Sequence, residues 1–277
     1  CRVPWRVGVH FLVTGEARGF LDGMGKECDN PSKGHGAAGP CTRRAAPNDS
    51  LLEPFAKQAE TPMTHDDVLQ RLCTVGLVPV VRAPSPAGLL DIARALAAGG
   101  VPICEVTMTV PGAIDGIRRL AGEVGGEVLV GVGSVTEPGQ AEEAIDAGAR
   151  FVVGPVLVPE VIEVARERDT VVIPGAYTPT EVFQAHTLGA DIVKVFPASL
   201  GGPAYIKALL APMPFLKLLP TGGVNLDTVG DFLQAGAVTL AAGSALVKKS
   251  AVADGDWEVV TDLARRFREE VEKARAK

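Results

Sequence analysis

A single lysine, Lys194, lies in the middle of the apolar run Asp191–Pro197, which is predicted to be a buried strand. An ammonium group is costly to bury, so a lysine in such a position must be paired, neutral or used chemically. A desolvated lysine with a lowered pKa is the nucleophile that Schiff-base chemistry on a ketone requires. A lysine whose ammonium group reaches solvent at the strand end is the more common case. Taken alone, this strand therefore favours a lysine that reaches solvent, but it does not exclude a catalytic lysine.

Two more charged residues are predicted to point into the same interior as Lys194. Side chains alternate between the two faces of a strand, which places Glu105 opposite the apolar face that includes Val106, and Arg82 on one face with Val80. The three charged groups could form a buried salt-bridge cluster. They could equally be a nucleophile, a proton shuttle and a carboxylate anchor, because arginine presents a rigid fork that matches a carboxylate.

Two glycine-containing loops follow the last two predicted strands, at Pro220–Val224 and Ala242–Ala245. Glycine lets backbone N–H groups approach an anion, and the N-terminus of a following helix adds positive charge. In α/β barrels this is the usual place for a phosphate group. The predicted phosphate-binding residues are Gly222, Gly223, Gly243 and Ser244.

Four further residues at strand ends are candidates for contact with a substrate. The Ser134 hydroxyl follows the third strand, where a simple turn is an equal alternative. Pro155, Phe196 and Thr221 follow other strands and are predicted to form walls of the pocket.

Short apolar runs alternate with amphipathic stretches from Met63 onward, which predicts parallel β–α–β units. The strand candidates are Leu77–Arg82, Pro102–Thr107, Val128–Gly131, Phe151–Val153, Thr170–Ile173, Ile192–Val195, Leu216–Leu219 and Thr239–Ala241. Eight such units favour a single (β/α)8 TIM barrel with a short N-terminal helix over Thr64–Thr74. A doubly wound open sheet is the alternative, but the first unit lacks the GxGxxG turn of a dinucleotide-binding version. Glycines are predicted to end helices in the left-handed conformation, at Gly99, Gly148, Gly189 and Gly236.

The chain is predicted to divide at Met63. Residues 1–62 lack hydrophobic periodicity and are rich in Gly, Pro and charged residues in their second half, so we expect a disordered extension. Met63 is the expected natural start, and residues 63–277 are predicted to form the barrel domain.

Composition narrows the class of partner. A formal charge of −6 with no basic run gives no reason to expect nucleic-acid binding, and no apolar run reaches the length of a membrane span. The five cysteines show neither a CxxC pair nor a disulfide framework, and two of them lie in apolar segments. Buried thiols suit a reducing compartment, so a cytoplasmic protein is expected. The four histidines are scattered, and no metal site is predicted.

The chain resembles the 2-keto-3-deoxy-6-phosphogluconate (KDPG) and 4-hydroxy-2-oxoglutarate (KHG) aldolase family. The resemblance extends over about residues 75–249 and rests on motifs whose order and spacing fit the family. These are Val-Pro-Val-Val-Arg (78–82), Glu-Val-Thr-Met-Thr-Val-Pro (105–111), Gly-Val-Gly-Ser-Val (131–135), Ile-Pro-Gly (173–175), Lys-Val-Phe-Pro (194–197), Pro-Thr-Gly-Gly-Val (220–224) and Gly-Ser-Ala-Leu-Val (243–247).

The resemblance implies a class I aldolase on a homotrimeric (β/α)8 barrel. In that family the lysine of Lys-x-Phe-Pro forms the Schiff base, which implies this role for Lys194. The glutamate of Glu-Val-Thr shuttles protons, which implies this role for Glu105. The family's phosphate loops match the two glycine loops of this chain.

The chain departs from the family pattern at the residues that hold the substrate carboxylate. Some members carry an arginine where this chain has Thr109, whereas others carry one at the end of the first strand, as Arg82 is here. The resemblance therefore implies that Arg82 binds the carboxylate. Ser134 replaces the family's threonine and keeps the hydroxyl, which assigns it to the same end of the substrate.

The predicted function is cleavage of KDPG, a small sugar-acid phosphate, to pyruvate and glyceraldehyde 3-phosphate, as in the Entner–Doudoroff pathway of carbohydrate metabolism. This lyase reaction requires no metal or organic cofactor. Alternatives within the family are aldolases for the phosphogalactonate epimer or for 4-hydroxy-2-oxoglutarate. Alternatives of another class are a phosphate-binding barrel isomerase or synthase and a non-catalytic barrel.

Overall fold

The fold is described from a computed structural model, which describes residues 63–276. The predicted disordered extension, residues 1–62, lies outside the described residues. The strands are β1 (Leu77–Val81), β2 (Ile103–Thr107), β3 (Leu129–Gly133), β4 (Phe151–Val153), β5 (Val171–Ile173), β6 (Gly175–Ala176), β7 (Val193–Val195), β8 (Leu218–Pro220) and β9 (Leu240–Ala242).

Helices connect the strands and pack around them. They are α1 (His65–Val75), α2 (Leu89–Ala98), α3 (Ala113–Val124), α4 (Pro138–Asp146), α5 (Pro159–Glu167), α6 (Pro179–Thr187), α7 (Gly202–Leu210), α8 (Val229–Gln234), α9 (Lys249–Asp254) and α10 (Trp257–Arg275), with 3-10 turns at Pro86–Gly88 and Ala198–Leu200. No helix within residues 63–276 is long and apolar enough to cross a membrane.

The strands form two curled parallel sheets, in the orders β5-β4-β3-β2-β1-β9 and β6-β7-β8. The prediction of an α/β fold built from repeated parallel β–α units is therefore confirmed. The fifth predicted strand, Thr170–Ile173, is observed as β5, and a short strand that was not predicted, β6, follows after Pro174, which has no N–H to donate to a neighbouring strand. Its carbonyl still accepts a hydrogen bond from the amide of Lys194 at 2.9 Å.

Local signals in the sequence account for several element boundaries. α1 begins with a capping box, in which the Thr64 hydroxyl accepts from the Asp67 amide and the Asp67 carboxylate accepts from the Thr64 amide. Thr178 and Glu181 form the same arrangement at the start of α6.

The glycine at the end of α2 was assigned a wrong role. Gly148, Gly189 and Gly236 have the predicted positive φ, but Gly99 has a φ of −82° and the following Gly100 has a φ of 83°. Gly99 is needed for a different reason, because a Cβ at this position would lie 2.5 Å from the Cβ of Ala264 on α10. Its missing side chain allows α10 to pack directly on the end of α2.

Candidate active site

Lys194 lies at the centre of β7 and is buried, with 6% of its surface exposed. Its backbone is held on both sides, since it is the Cα partner of Gly175 in β6 and of Leu219 in β8. Its Nζ lies 5.4 Å from the centroid of the Phe196 ring. Phe196 is two residues further along the chain, so the two side chains point to the same side. Most of the lysine side chain is therefore enclosed by the protein.

Glu105 lies on β2 and is 1% exposed. Among the described residues, neither of its carboxylate oxygens has a hydrogen-bond partner. A buried polar group without a partner is costly, and groups of this kind concentrate at sites that bind or transform a ligand. Glu105 is thus not the acidic half of a satisfied structural ion pair.

Burial shifts the pKa values of these two groups toward their neutral forms. Loss of solvation is the main cause of the lowered pKa of Lys194, which the nearby Glu105 raises and the Arg82 charge lowers. Loss of solvation also raises the pKa of Glu105, against the opposing effects of Lys194 and Arg82. A neutral amine beside a neutral carboxylic acid is the pair of protonation states that attack on a ketone requires.

The side chain of Glu105 lies over the backbone of Gly133 on the neighbouring strand β3. A Cβ at residue 133 would lie 2.6 Å from Cδ and 2.8 Å from Cγ of Glu105 and would overlap its Oε1. Sequence reasoning missed this role of Gly133. The sequence contained a signal for it. Gly131 and Gly133 point to the same face of a strand that neighbours the strand of the inward-pointing Glu105.

A cavity of about 300 Å³ is bounded by the two glycine loops and Arg82, and neither Lys194 nor Glu105 is part of its lining. Its lining includes seven of the predicted site residues, namely Arg82, Phe196, Thr221, Gly222, Gly223, Gly243 and Ser244. The structure therefore brings together both predicted phosphate loops and the predicted carboxylate anchor. Ser134 and Pro155 do not line this cavity.

The first glycine loop is shaped to expose its backbone amides. Gly222 and Gly223 have φ values of 90° and 79°, a conformation that glycine adopts without strain. The carbonyl of Gly223 accepts a hydrogen bond from the Thr228 hydroxyl at 3.0 Å, which fixes the end of the loop. Within residues 63–276, the amides of Gly222, Gly223 and Ser244 make no hydrogen bond to protein atoms. These donors are available to an anion in the cavity.

No helix begins directly after either glycine loop. α8 begins six residues after Gly223 and α9 five residues after Ser244, and each has only six residues. The expectation that a helix N-terminus adds positive charge to these loops is therefore wrong. The groups in this cavity that could bind an anion are therefore the unpaired loop amides and the Arg82 guanidinium.

The hydroxyl of Thr221 also faces this region without a partner. Thr221 is 7% exposed, and its Oγ1 is buried with no hydrogen-bond partner among the described residues. Its backbone is paired, since its amide donates to the Val195 carbonyl and its carbonyl accepts from the Ala198 amide. The loop after β8 is thus fixed to the end of the Lys194 strand.

Ser134 follows β3 in a strained backbone conformation. Its φ of 62° is in the left-handed region, which costs a non-glycine residue about 1–2 kcal/mol. Such strain is found most often where a side chain must be presented to a ligand. Ser134 directly follows Gly133, the residue over which the Glu105 side chain lies.

Pro155 packs beside the lysine strand through its backbone. A Cβ at Gly175 would overlap the Pro155 carbonyl group and lie 2.7 Å from the amide nitrogen of Val156. Because Gly175 pairs with Lys194, the loop after β4 lies one strand away from the nucleophile. Pro155 therefore borders the site on the β4 side.

A chain of two hydroxyls near Arg82 was also missed from the sequence. The Thr107 Oγ1 donates to the Val81 carbonyl at 3.2 Å and lies 2.7 Å from the Oγ1 of Thr109. Val81 immediately precedes Arg82, so this chain fixes the point at which the arginine leaves β1. Thr109 is the position at which some family members carry an arginine, and here its hydroxyl is engaged in this support.

The structure combines an α/β fold, a buried lysine and a buried glutamate, and a cavity lined by two glycine loops and an arginine. The sequence profile of the KDPG and KHG aldolase family matches residues 68–263 of this chain. The chain belongs to this family.

Individual relatives agree with this assignment. The 2-dehydro-3-deoxy-phosphogluconate aldolase of Pseudomonas aeruginosa is 35% identical over 190 residues, which cover 68% of this chain and 86% of the relative. The KHG/KDPG aldolase of Escherichia coli K12 is 36% identical over 195 residues, covering 70% of this chain and 91% of the relative. A crystal structure of the Legionella pneumophila KDPG aldolase, with pyruvate captured as a covalent carbinolamine intermediate, superposes with a TM-score of 0.68 at 28% identity, covering 74% of this chain and 98% of the other.

Proposed function

We propose that this protein is a class I aldolase that cleaves KDPG to pyruvate and glyceraldehyde 3-phosphate. The observation that carries the proposal is the buried pair of Lys194 and Glu105, in which loss of solvation favours both neutral forms. The names of its relatives support the same carbon–carbon lyase activity.

The first half of the reaction forms the Schiff base. The neutral amine of Lys194 attacks the C2 ketone, and the protonated Glu105 gives its proton to the oxygen of the carbinolamine, which leaves as water. The resulting iminium is bonded to Nζ, and Glu105 is left as a carboxylate.

Cleavage then uses the iminium as an electron sink. The Glu105 carboxylate takes the proton of the C4 hydroxyl, directly or through a water, as the C3–C4 bond breaks. The electron pair of that bond forms an enamine on the pyruvate fragment, and glyceraldehyde 3-phosphate leaves. Glu105 returns its proton to C3 of the enamine. Hydrolysis of the resulting iminium then releases pyruvate and regenerates the neutral amine, and the proton set free in this step returns to Glu105.

Arg82 and Ser134 hold the substrate carboxylate in this proposal. The carboxylate carbon is bonded to C2, so the group that binds it must lie close to Nζ of Lys194. The influence of the Arg82 charge on the pKa values of both Lys194 and Glu105 supports this placement. The amides of Gly222, Gly223, Gly243 and Ser244 bind the phosphate, which adds binding energy remote from the reacting bond.

We also propose that the two sheets are parts of one closed eight-stranded barrel. Two observations support closure. Only Pro174 separates β5 from β6, and residue Thr221, just after β8, forms a parallel bridge with Ala241 of β9. In this arrangement β5 and β6 are two halves of one strand, and a crystal structure with hydrogen-bonded strands all around the circle would test it.

The assembly and cellular role follow from the family resemblance. We propose a cytoplasmic homotrimer that acts in the Entner–Doudoroff pathway. Exposed apolar side chains that support an assembly include Phe183 on α6 and Phe215, each about half exposed. Light scattering coupled to size-exclusion chromatography tests the trimer, and a mass of one chain would contradict it.

Borohydride trapping tests the chemistry directly. The protein is incubated with pyruvate and sodium borohydride, and the modified peptide is identified by mass spectrometry. An adduct on Lys194 supports the proposal. An adduct on another lysine, or no adduct in a folded and active sample, contradicts it.

A further inference from the structure

On the inward face of β3, the two positions after Leu129 carry no side chain. Gly131 and Gly133 share this face, and each leaves a space that a side chain from a neighbouring strand fills. A Cβ at Gly131 would lie 2.5 Å from Cδ1 of Phe151, whose ring comes from β4 on one side. A Cβ at Gly133 would collide with Glu105, which comes from β2 on the other side.

The register of the sheet explains why Glu105 extends toward Gly133. Glu105 is the Cα partner of Gly131, but the space over Gly131 is already occupied by the Phe151 ring. The glutamate therefore leans along the strand direction and occupies the next space, over Gly133. The final position of the Glu105 side chain thus depends on the absence of a side chain at both Gly131 and Gly133.

The side chain of Glu105 is enclosed by the protein. The whole residue is 1% exposed, and its Cγ, Cδ and Oε1 all lie within the volume that a Cβ at residue 133 would need. A clash with the end of a flexible surface side chain would be relieved by a small rotation. Here the side chain is enclosed, so a methyl group at residue 133 must displace the carboxyl group itself.

We propose that Gly133 is a positioning residue, whose missing side chain sets the location of the Glu105 carboxyl group relative to Lys194. This inference rests on the proposed function, because it assigns a purpose to the position of the proton shuttle. The backbone of Gly133 lies outside the left-handed region, so an alanine is excluded here by space and not by φ.

A stability cycle tests the contact without any measurement of activity. Gly133→Ala is introduced into the wild-type chain and into the Glu105→Ala variant, and melting temperatures are compared. We expect Gly133→Ala to lower the melting temperature by roughly 2–10 °C in the wild-type chain. It should have little effect in the Glu105→Ala background, because the shortened side chain at position 105 leaves room for the new methyl group.

The matched control is Gly131→Ala on the same face of the same strand. It inserts the same methyl group against Phe151, so its effect on the melting temperature should differ much less between the wild-type and Glu105→Ala backgrounds than that of Gly133→Ala. If Gly133→Ala does not fold alone, a folded Glu105→Ala/Gly133→Ala double variant supports the proposal. A loss of stability that is independent of Glu105, or no loss in either background, overturns it.

A kinetic measurement tests the consequence for the reaction. In Gly133→Ala we expect kcat for KDPG cleavage to fall by roughly 10- to 100-fold, with KM changed by less than about threefold, because the shuttle is displaced while the substrate-binding groups remain. An unchanged kcat in the folded variant would overturn the positioning role.

The experiments distinguish failure of the proposed function from failure of the proposed role of Gly133. If the wild-type protein forms no adduct with pyruvate on Lys194, the proposed function fails, whereas the stability cycle still reports whether Gly133 seats Glu105. If the wild-type enzyme is active and the cycle shows no coupling, only the role of Gly133 fails.

Discussion

The guanidinium of Arg82 lies against the backbone of Gly243, where a Cβ would be 3.0 Å from Nη1. The two residues directly follow strands that pair with each other, β1 and β9. This contact joins the cationic group of the site to the second glycine loop, so the shape of the loop controls where the positive charge lies.

Replacing Gly243 with alanine should therefore weaken substrate binding. The new methyl group displaces the arginine head and narrows the cavity, and we expect KM for KDPG to rise about 10-fold with a smaller change in kcat. Steady-state kinetics measures both constants. Gly230→Ala is the control, since a Cβ there meets no atom within 4 Å. Equal KM values in Gly243→Ala and the wild type would contradict a role for this contact.

Lys194→Met should abolish catalysis and leave the fold intact. The variant keeps an unbranched apolar side chain but has no nucleophile, so we expect activity to fall by roughly 10⁴-fold or more and the pyruvate adduct to disappear. Mass spectrometry after borohydride treatment measures the adduct, and circular dichroism serves as the check on folding. Residual activity near the wild-type level would show that another amine carries the reaction.

The same variant should be more stable than the wild type at neutral pH. The pKa of Lys194 is lower in the folded protein than in the unfolded chain, so the unfolded chain binds the extra proton more strongly. The resulting penalty on folding is full below the folded-state pKa and fades as pH rises toward the ordinary lysine value of 10.5. Melting temperatures across this range should show an advantage for Lys194→Met that declines with rising pH. An advantage that grows with pH would contradict the direction of the shift.

Two variants should move the pH dependence of Schiff-base formation in opposite directions. The rate of trapping with pyruvate rises with pH as Lys194 loses its proton. Arg82 lowers the pKa of Lys194, so Arg82→Met should move this rise to higher pH. Glu105 raises that pKa, so Glu105→Gln should move the rise to lower pH and also reduce the maximum rate. Shifts of the same sign in the two variants would show that the charges do not act on Lys194 as described.

Removing residues 1–62 should leave activity unchanged. Every candidate site residue lies between Arg82 and Ser244, and the described elements begin with α1. We expect kcat/KM of the shortened chain to equal that of the full chain within about twofold. A large loss, with the shortened chain still folded, would show that the first part of the sequence contributes to the site.

Much of the site was predictable because strand periodicity is a strong constraint. Alternation along three separate strands predicted that Lys194, Glu105 and Arg82 point to one interior, and the structure places them within electrostatic reach of one another. The more apolar face opposite Glu105 favoured its inward orientation, since reversing that strand would place its charge on the opposite side, against the helices.

The features that were missed depend on which neighbour fills a space. Gly99 has the sequence context of a helix C-cap, yet it is needed for the approach of α10, whose position in the fold no local pattern specifies. The role of Gly133 likewise depends on the direction in which Glu105 leans, and this is set by Phe151 on a third strand. Local sequence predicts a face, whereas packing across strands decides what lies on it.

The two glycines of β3 also predict a pattern of substitution in related sequences. Gly131 and Phe151 share one space, and Gly133 and Glu105 share another, so neither member of a pair can enlarge without a reduction in its partner. In related sequences we expect substitutions within each pair to be correlated, with a larger residue at position 131 accompanied by a smaller one at position 151. Since the proposed role of Glu105 as proton shuttle requires its full side chain, the second pair should vary far less than the first.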